Sequence, residues 1–134
     1  MKRYIALIHK SPGSIFGAMF PDFPGCVSAG ETMEKAAAEA REALAFHAET
    51  MQRDGDALPA PRTLDEIRAA GDDWIEWEGA VAALIPLLPP RGDAVRVNIN
   101  IDRNLLAAVD AVAEKAGQSR SAFVARALET SLEG

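Results

Sequence analysis

The sequence predicts an α+β protein in two parts. Residues 1–88 read as a small βββα(α)β layer, 89–93 as a linker, and 94–134 as a strand–helix–helix unit. Three observations predict this. Short apolar runs with β-branched and aromatic content, separated by Pro/Gly turns, precede a long stretch whose apolar residues recur at helical period. The run from Pro86 to Asp93, with three prolines and a glycine, precludes regular structure. Beyond it, Val95 to Ile101 alternate apolar and polar side chains without a break.

The elements follow in order. Residues 3–8 form a first strand, Ser11-Pro12-Gly13 a turn, and 15–20 a second strand, so the two make a hairpin. Pro21-Asp22-Phe23-Pro24-Gly25 is a rigid turn into a third strand, 26–29, which Gly30 ends. Thr32 caps the next helix, with Glu31 and Glu34 near its positive end. Met33, Ala36, Ala37, Ala40, Leu44, Ala48 and Met51 form its apolar stripe, and it stops by Gly55. Thr63 to Glu66 is a capping box for a short helix, and 80–85 reads as a last, well-buried strand. In the second part, Val95, Val97, Ile99 and Ile101 share one strand face, and Arg96, Asn98 and Asn100 the other. Asp102 caps a helix with Leu105, Val109, Val112 and Ala116 in line, flanked by Leu106 and Ala113, and Gly117 stops it. Ser119 caps a second helix with Phe123, Val124, Ala127, Leu128 and Leu132 on its inner side.

Composition bounds the function. The chain has 134 residues, 49% of them apolar, and a formal charge of −6. A single Cys excludes a disulfide framework and a Cys-based zinc site, and points to a reducing compartment. The run from Ala80 to Leu88 is broken by Pro86, far short of the roughly 20 residues of a membrane span. His9 and Lys10 cut the N-terminal apolar stretch too early for a signal peptide. A soluble, cytoplasmic protein is expected. Residues 1–93 hold nine basic and fifteen acidic side chains, whereas 94–134 hold five of each. The overall balance excludes a general nucleic-acid coat.

The 41 residues of the second part lie near the lower limit for independent folding, and a lone strand has two open edges. Two copies solve both problems: strand pairs with strand antiparallel and four helices close one core. A two-stranded ribbon fits the DNA major groove, where Arg96 can read guanine and Asn98 and Asn100 adenine. The N-terminus of the last helix, at Ser119, Arg120 and Ser121, offers N–H groups to a phosphate. Arg120 is equally readable as a surface charge, and Asn100 as part of the turn.

Catalysis is not expected. Metal-dependent nuclease chemistry needs carboxylates converging from strands, and the four strands assigned to residues 1–88 contain no Asp or Glu. No cofactor or metal is expected either. His9 and His47 read as boundary residues and Cys26 as a small core residue. Asp22 either orients its turn or touches a partner. Glu39, Glu42, Glu49, Asp54 and Asp56 read as a solvated face, or as a surface that steers a basic partner.

Residues 95–132, with the alternating strand, the Leu105-Leu106 pair and Gly117 to Phe123, resemble a ribbon-helix-helix DNA-binding domain. That resemblance implies base contacts by Arg96, Asn98 and Asn100 and phosphate contacts at Ser119, Arg120 and Ser121. In the front half, Phe20-Pro21-Asp22-Phe23-Pro24-Gly25-Cys26-Val27-Ser28-Ala29-Gly30-Glu31-Thr32, then Glu34, Ala37, Ala40, Ala43 and Pro59-Ala60-Pro61, resemble the HicB antitoxin family. Phe23 stands where the family often has Leu, and Trp74-Ile75-Glu76-Trp77 falls outside its pattern. The resemblance implies a degenerate, partial RNase H-like domain that binds a HicA toxin, an mRNA-cleaving protein, and a C-terminal domain that represses the shared operon. Expected partners are therefore a HicA-like toxin (contacted through Asp22, Glu39, Glu42 and Glu49), operator double-stranded DNA, and further copies of the chain. A homodimer through the C-terminal unit is expected, and a tetramer or larger assembly from it. Two alternatives remain open: a stand-alone ribbon-helix-helix regulator with a sensing domain, and a small RNA-processing enzyme.

Overall fold

The computed structural model describes residues 1–89 and 92–133, so Pro90 and Arg91 of the expected linker lie outside the described residues. The chain forms two compact units, Met1–Arg91 and Gly92–Gly134.

The first unit is α+β, with β1 (Arg3–Lys10), β2 (Phe16–Met19), β3 (Val27–Gly30), α1 (Met33–Arg53), α2 (Leu64–Ala70) and β4 (Val81–Pro86). Its sheet has the order β3-β2-β1-β4, with every neighbour antiparallel. β1 therefore lies inside the sheet, and it is apolar on both faces because both are covered. Tyr4, Ala6 and Ile8 point to α1, joining Ala18, Phe20, Phe23, Cys26, Ala36, Ala40, Leu44 and Ile85 in the main core. Ile5 and Leu7 point the other way, to Ile67 of α2 and to Ile75.

α1 packs close because its inner face is almost all alanine. Thr32 caps it by accepting from the Lys35 N–H at 3.1 Å. Gly55 (φ 81°) closes it, the Gly55 and Asp56 N–H groups returning to the Gln52 and Met51 carbonyls. The strand-to-helix approach also requires glycine at Gly30, where a Cβ would collide with the backbone of Lys35 and Ala36.

One expectation is corrected. The last strand is not well buried: β4 is an edge strand with Val81 and Leu84 largely exposed, because its continuous apolar run reflects one covered face and one open one. The short helix expected after Thr63 is present, and the second face of the sheet is covered in part. α2 and the stretch 72–77 cover part of its second face, with Ile75 buried, Trp77 half-buried and the Arg68 guanidinium 4.1 Å above the Trp77 ring.

The second unit contains α3 (Arg103–Lys115) and α4 (Arg120–Glu133). Asp102 caps α3 by accepting from the Asn104 and Leu105 N–H groups, both at 2.9 Å, and Gly117 (φ 68°) ends it. Residues 92–102 belong to no helix and no sheet of this chain. The strand expected at 95–101 has no partner within one molecule, and a ladder needs a second edge. None of the described helices is long and apolar enough to cross a membrane.

Candidate functional site

The second unit has almost no core of its own. Among its described residues only Ala113 is buried. Val95, Val97 and Ile99 are 79%, 70% and 66% exposed, and Leu105, Val112, Leu128 and Leu132 are exposed as well. Leu128 and Leu132, expected on an inner side, therefore find nothing inside one chain to cover them. An apolar surface this continuous is unusual on so small a unit and marks an interaction surface. Arg96, Asn98 and Asn100 alternate with those apolar residues and are exposed too.

At the start of α4, Ser119 acts as expected: its Oγ accepts from the Ala122 N–H at 3.1 Å. Ser121 lies exposed in the first turn. Arg120 is engaged within the unit rather than being a plain surface charge. Its Nε and one Nη each donate to an Asp110 carboxylate oxygen at 2.8 Å, a two-pronged clasp from α4 to α3. Hydrogen bonding from Arg120 holds the Asp110 carboxyl below its ordinary range, and the same bond raises the Arg120 guanidinium. Contact with a phosphate would have to compete with that clasp. The ten-residue separation across a helix turn left no sequence signal for it.

In the first unit the acidic residues of α1 share its outward face. Glu39 and Glu42 are exposed, and Glu49 donates nothing but accepts from Arg53 at 3.1 Å. Between Glu42 and Glu49 on that face stands Phe46, 66% exposed. Helical spacing already excluded Phe46 from the stripe Ala36-Ala40-Leu44-Ala48, so the signal was present in the sequence and passed over. Asp54 and Asp56 lie exposed just beyond the helix.

Asp22 is corrected. Its side chain is 2% exposed and cannot meet a partner. Its two carboxylate oxygens accept from Arg62, one from Nε at 2.6 Å and one from the backbone N–H at 3.0 Å, while an Arg62 Nη reaches the Pro21 carbonyl at 3.3 Å. Asp22 thus orients its turn by tying it to the segment before α2. Beside it the Tyr4 hydroxyl donates to the Pro59 carbonyl at 2.6 Å. Burial, with the nearby Asp22 charge second, raises the Tyr4 hydroxyl.

The remaining reactive groups are structural. Cys26 is buried, which pushes its thiol up to about 11. His9 Nε2–H donates to the Glu76 carbonyl at 2.6 Å, and His47 packs edge-on to Phe23. Among the described residues no group of three or more His, Cys, Asp or Glu is placed to hold a metal ion.

Residues 4–128 match the family described as the HicB-like antitoxin of bacterial toxin-antitoxin systems. The crystal structure of the Burkholderia pseudomallei antitoxin HicB is similar at a TM-score of 0.55 and 34% identity, over 96% of each chain. A chain from the HicA3 and HicB3 toxin-antitoxin complex is similar at a TM-score of 0.50 and 31% identity, over 66% of this chain and 100% of its own. An uncharacterized 14.9 kDa protein from the rep-hol intergenic region of Haemophilus phage HP1 (strain HP1c1) is 32% identical over 92 residues, 67% of this chain and 66% of that one.

Proposed function

The chain belongs to the HicB-like antitoxin family of bacterial toxin-antitoxin systems, and from that premise we propose that it neutralises a HicA-like mRNA interferase by direct binding and represses its own operon by binding operator DNA, in the cytoplasm. The observation that carries the proposal is the uncovered apolar row Val95, Val97, Ile99 and Ile101 interleaved with Arg96, Asn98 and Asn100. A second copy laid antiparallel along that row covers it and turns two sets of base-reading side chains outward as one ribbon. Ser119, Ser121 and the N-terminus of α4 then serve the phosphates. Arg120 joins them only by leaving Asp110.

Residues 1–88 meet the toxin. A protein that grips RNA carries a basic surface, and the outward face of α1, with Glu39, Glu42 and Glu49 around Phe46, complements one. Inhibition is then steric and electrostatic, because the antitoxin covers the surface the RNA needs. The similarity to a chain solved within a HicA3 and HicB3 complex supports this half.

Asn98→Ala is the discriminating variant. It is expected to weaken operator binding by about 1–3 kcal/mol per lost base contact, read by mobility shift, and to leave growth rescue unchanged when the chain is coexpressed with the toxin. Repression that survives while rescue fails would overturn this division of labour.

A further inference from the structure

Arg120 stands where operator binding needs a cation, yet a carboxylate of its own chain already holds it. It opens α4 between Ser119 and Ser121, and its Nε and one Nη both donate to the Asp110 carboxylate of α3 at 2.8 Å. Carboxylate and phosphate offer the guanidinium fork the same pair of oxygens, so either can take the place of the other. The clasp is the arrangement a backbone phosphate would make, with Asp110 in its seat.

Three observations mark this pair as an exchangeable contact rather than a strut. It lies at the surface, with side chains 58% and 42% exposed, so water and salt screen it. The turn between α3 and α4 is fixed without it. There the Gly117 and Gln118 N–H groups return to the Glu114 and Ala113 carbonyls at 3.1 and 2.9 Å, and Ser119 caps α4. Cations are also scarce: residues 94–134 hold five basic side chains against five acidic ones, and Asp110 neutralises one of the five. Because Arg120 holds the Asp110 carboxyl below its ordinary range, another anion rather than a proton opens the pair at neutral pH.

We propose that Asp110 is a brake on operator binding: it occupies Arg120 in the free protein, and a DNA phosphate engages Arg120 only by displacing it. This rests on the operator reading above and adds to it a positioning residue that acts through another. A phosphate brought to a guanidinium that already holds a carboxylate places two anions on one cation, and their repulsion is the brake. Phosphates are alike in every sequence, so the brake lowers affinity for all duplexes equally and leaves discrimination to Arg96, Asn98 and Asn100.

The test is a double-substitution cycle on the full chain, read by fluorescence anisotropy. The probes are a duplex from upstream of its own gene and an unrelated duplex of equal length. Asp110→Asn should tighten binding to both several-fold and by the same factor. Arg120→Gln should weaken both and lower the salt slope by about 1 for each bound copy, and in that background Asp110→Asn should gain little. Glu114→Gln removes the same charge from an exposed position one turn further along α3, and should gain little in either background. Weaker binding by Asp110→Asn, an equal gain from Glu114→Gln, or a gain that persists without Arg120 would overturn the brake alone. A wild-type chain that binds neither duplex would overturn the operator reading and the brake together. Should Asp110→Asn lose its helical circular dichroism, the wild-type chain gives the second measurement. Its Arg120 Nε–H magnetic resonance signal should shift when the unrelated duplex is added and return as salt is raised, and a signal that stays in place would overturn the proposal.

Discussion

At the scale of single residues, the most consequential pair is Asp22 and Arg62. A carboxylate with its side chain 2% exposed persists only because Arg62 satisfies both of its oxygens. Arg62→Ala strands it, and the expected loss is about 3 kcal/mol in urea unfolding, at the low end for breaking a buried pair because Arg62 itself is partly exposed. Arg62→Lys should recover little, since an ammonium cannot reproduce the planar fork. The residue-level reading from sequence succeeded where the partner is near in the chain. Thr32, Thr63, Asp102 and Ser119 are all caps, each bonded within three residues. It failed where the partner is remote. Asp22 with Arg62, and Asp110 with Arg120, are chosen by the packing of whole elements, which no local spacing encodes.

At the scale of elements, four strands and four helices were legible to within one or two residues, because alternation, period and turn chemistry are local signals. Sheet position was not legible. The apolar run at 80–85 looks the same whether the strand is central or at an edge, and the structure puts it at an edge. Nor was the cover over the second face, where Ile75 and Trp77 pack without any periodic pattern. α1 illustrates both outcomes: Ala36, Ala40, Leu44 and Ala48 of its inner stripe are buried as expected, whereas buried Ala45 and, on the outer face, Phe46 were missed and Met33 at the start of the stripe is exposed. On the toxin contact proposed above, the charge of that face acts on encounter more than on grip. Replacing Glu39, Glu42 and Glu49 together by Gln should slow association with the toxin several-fold at low salt and much less at high salt, measured by stopped flow, whereas Phe46→Ala should act mainly on dissociation.

For the whole molecule, the two units differ in what holds them. The first has a closed core on both sides of β1. Among its described residues the second buries one and leaves its best apolar side chains outside, so on the dimer proposed above its order is tied to a neighbour. Val97→Lys should therefore lower helical circular dichroism as well as assembly, and the loss should deepen on dilution. An unchanged helical signal in a non-associating variant would mean that α3 and α4 hold without a partner.

The placement of β1 also bears on how the protein is made. It leaves the ribosome ahead of the other strands of its sheet, yet one of its two neighbours is β4, and Arg3 waits for Pro86. Most of the first unit must be translated before that ladder can close, and until then a long hydrophobic strand stands with one side bare. A nascent chain stalled before Val81 is thus an adhesive intermediate, and the pace of synthesis across residues 55–86 governs how long it lasts.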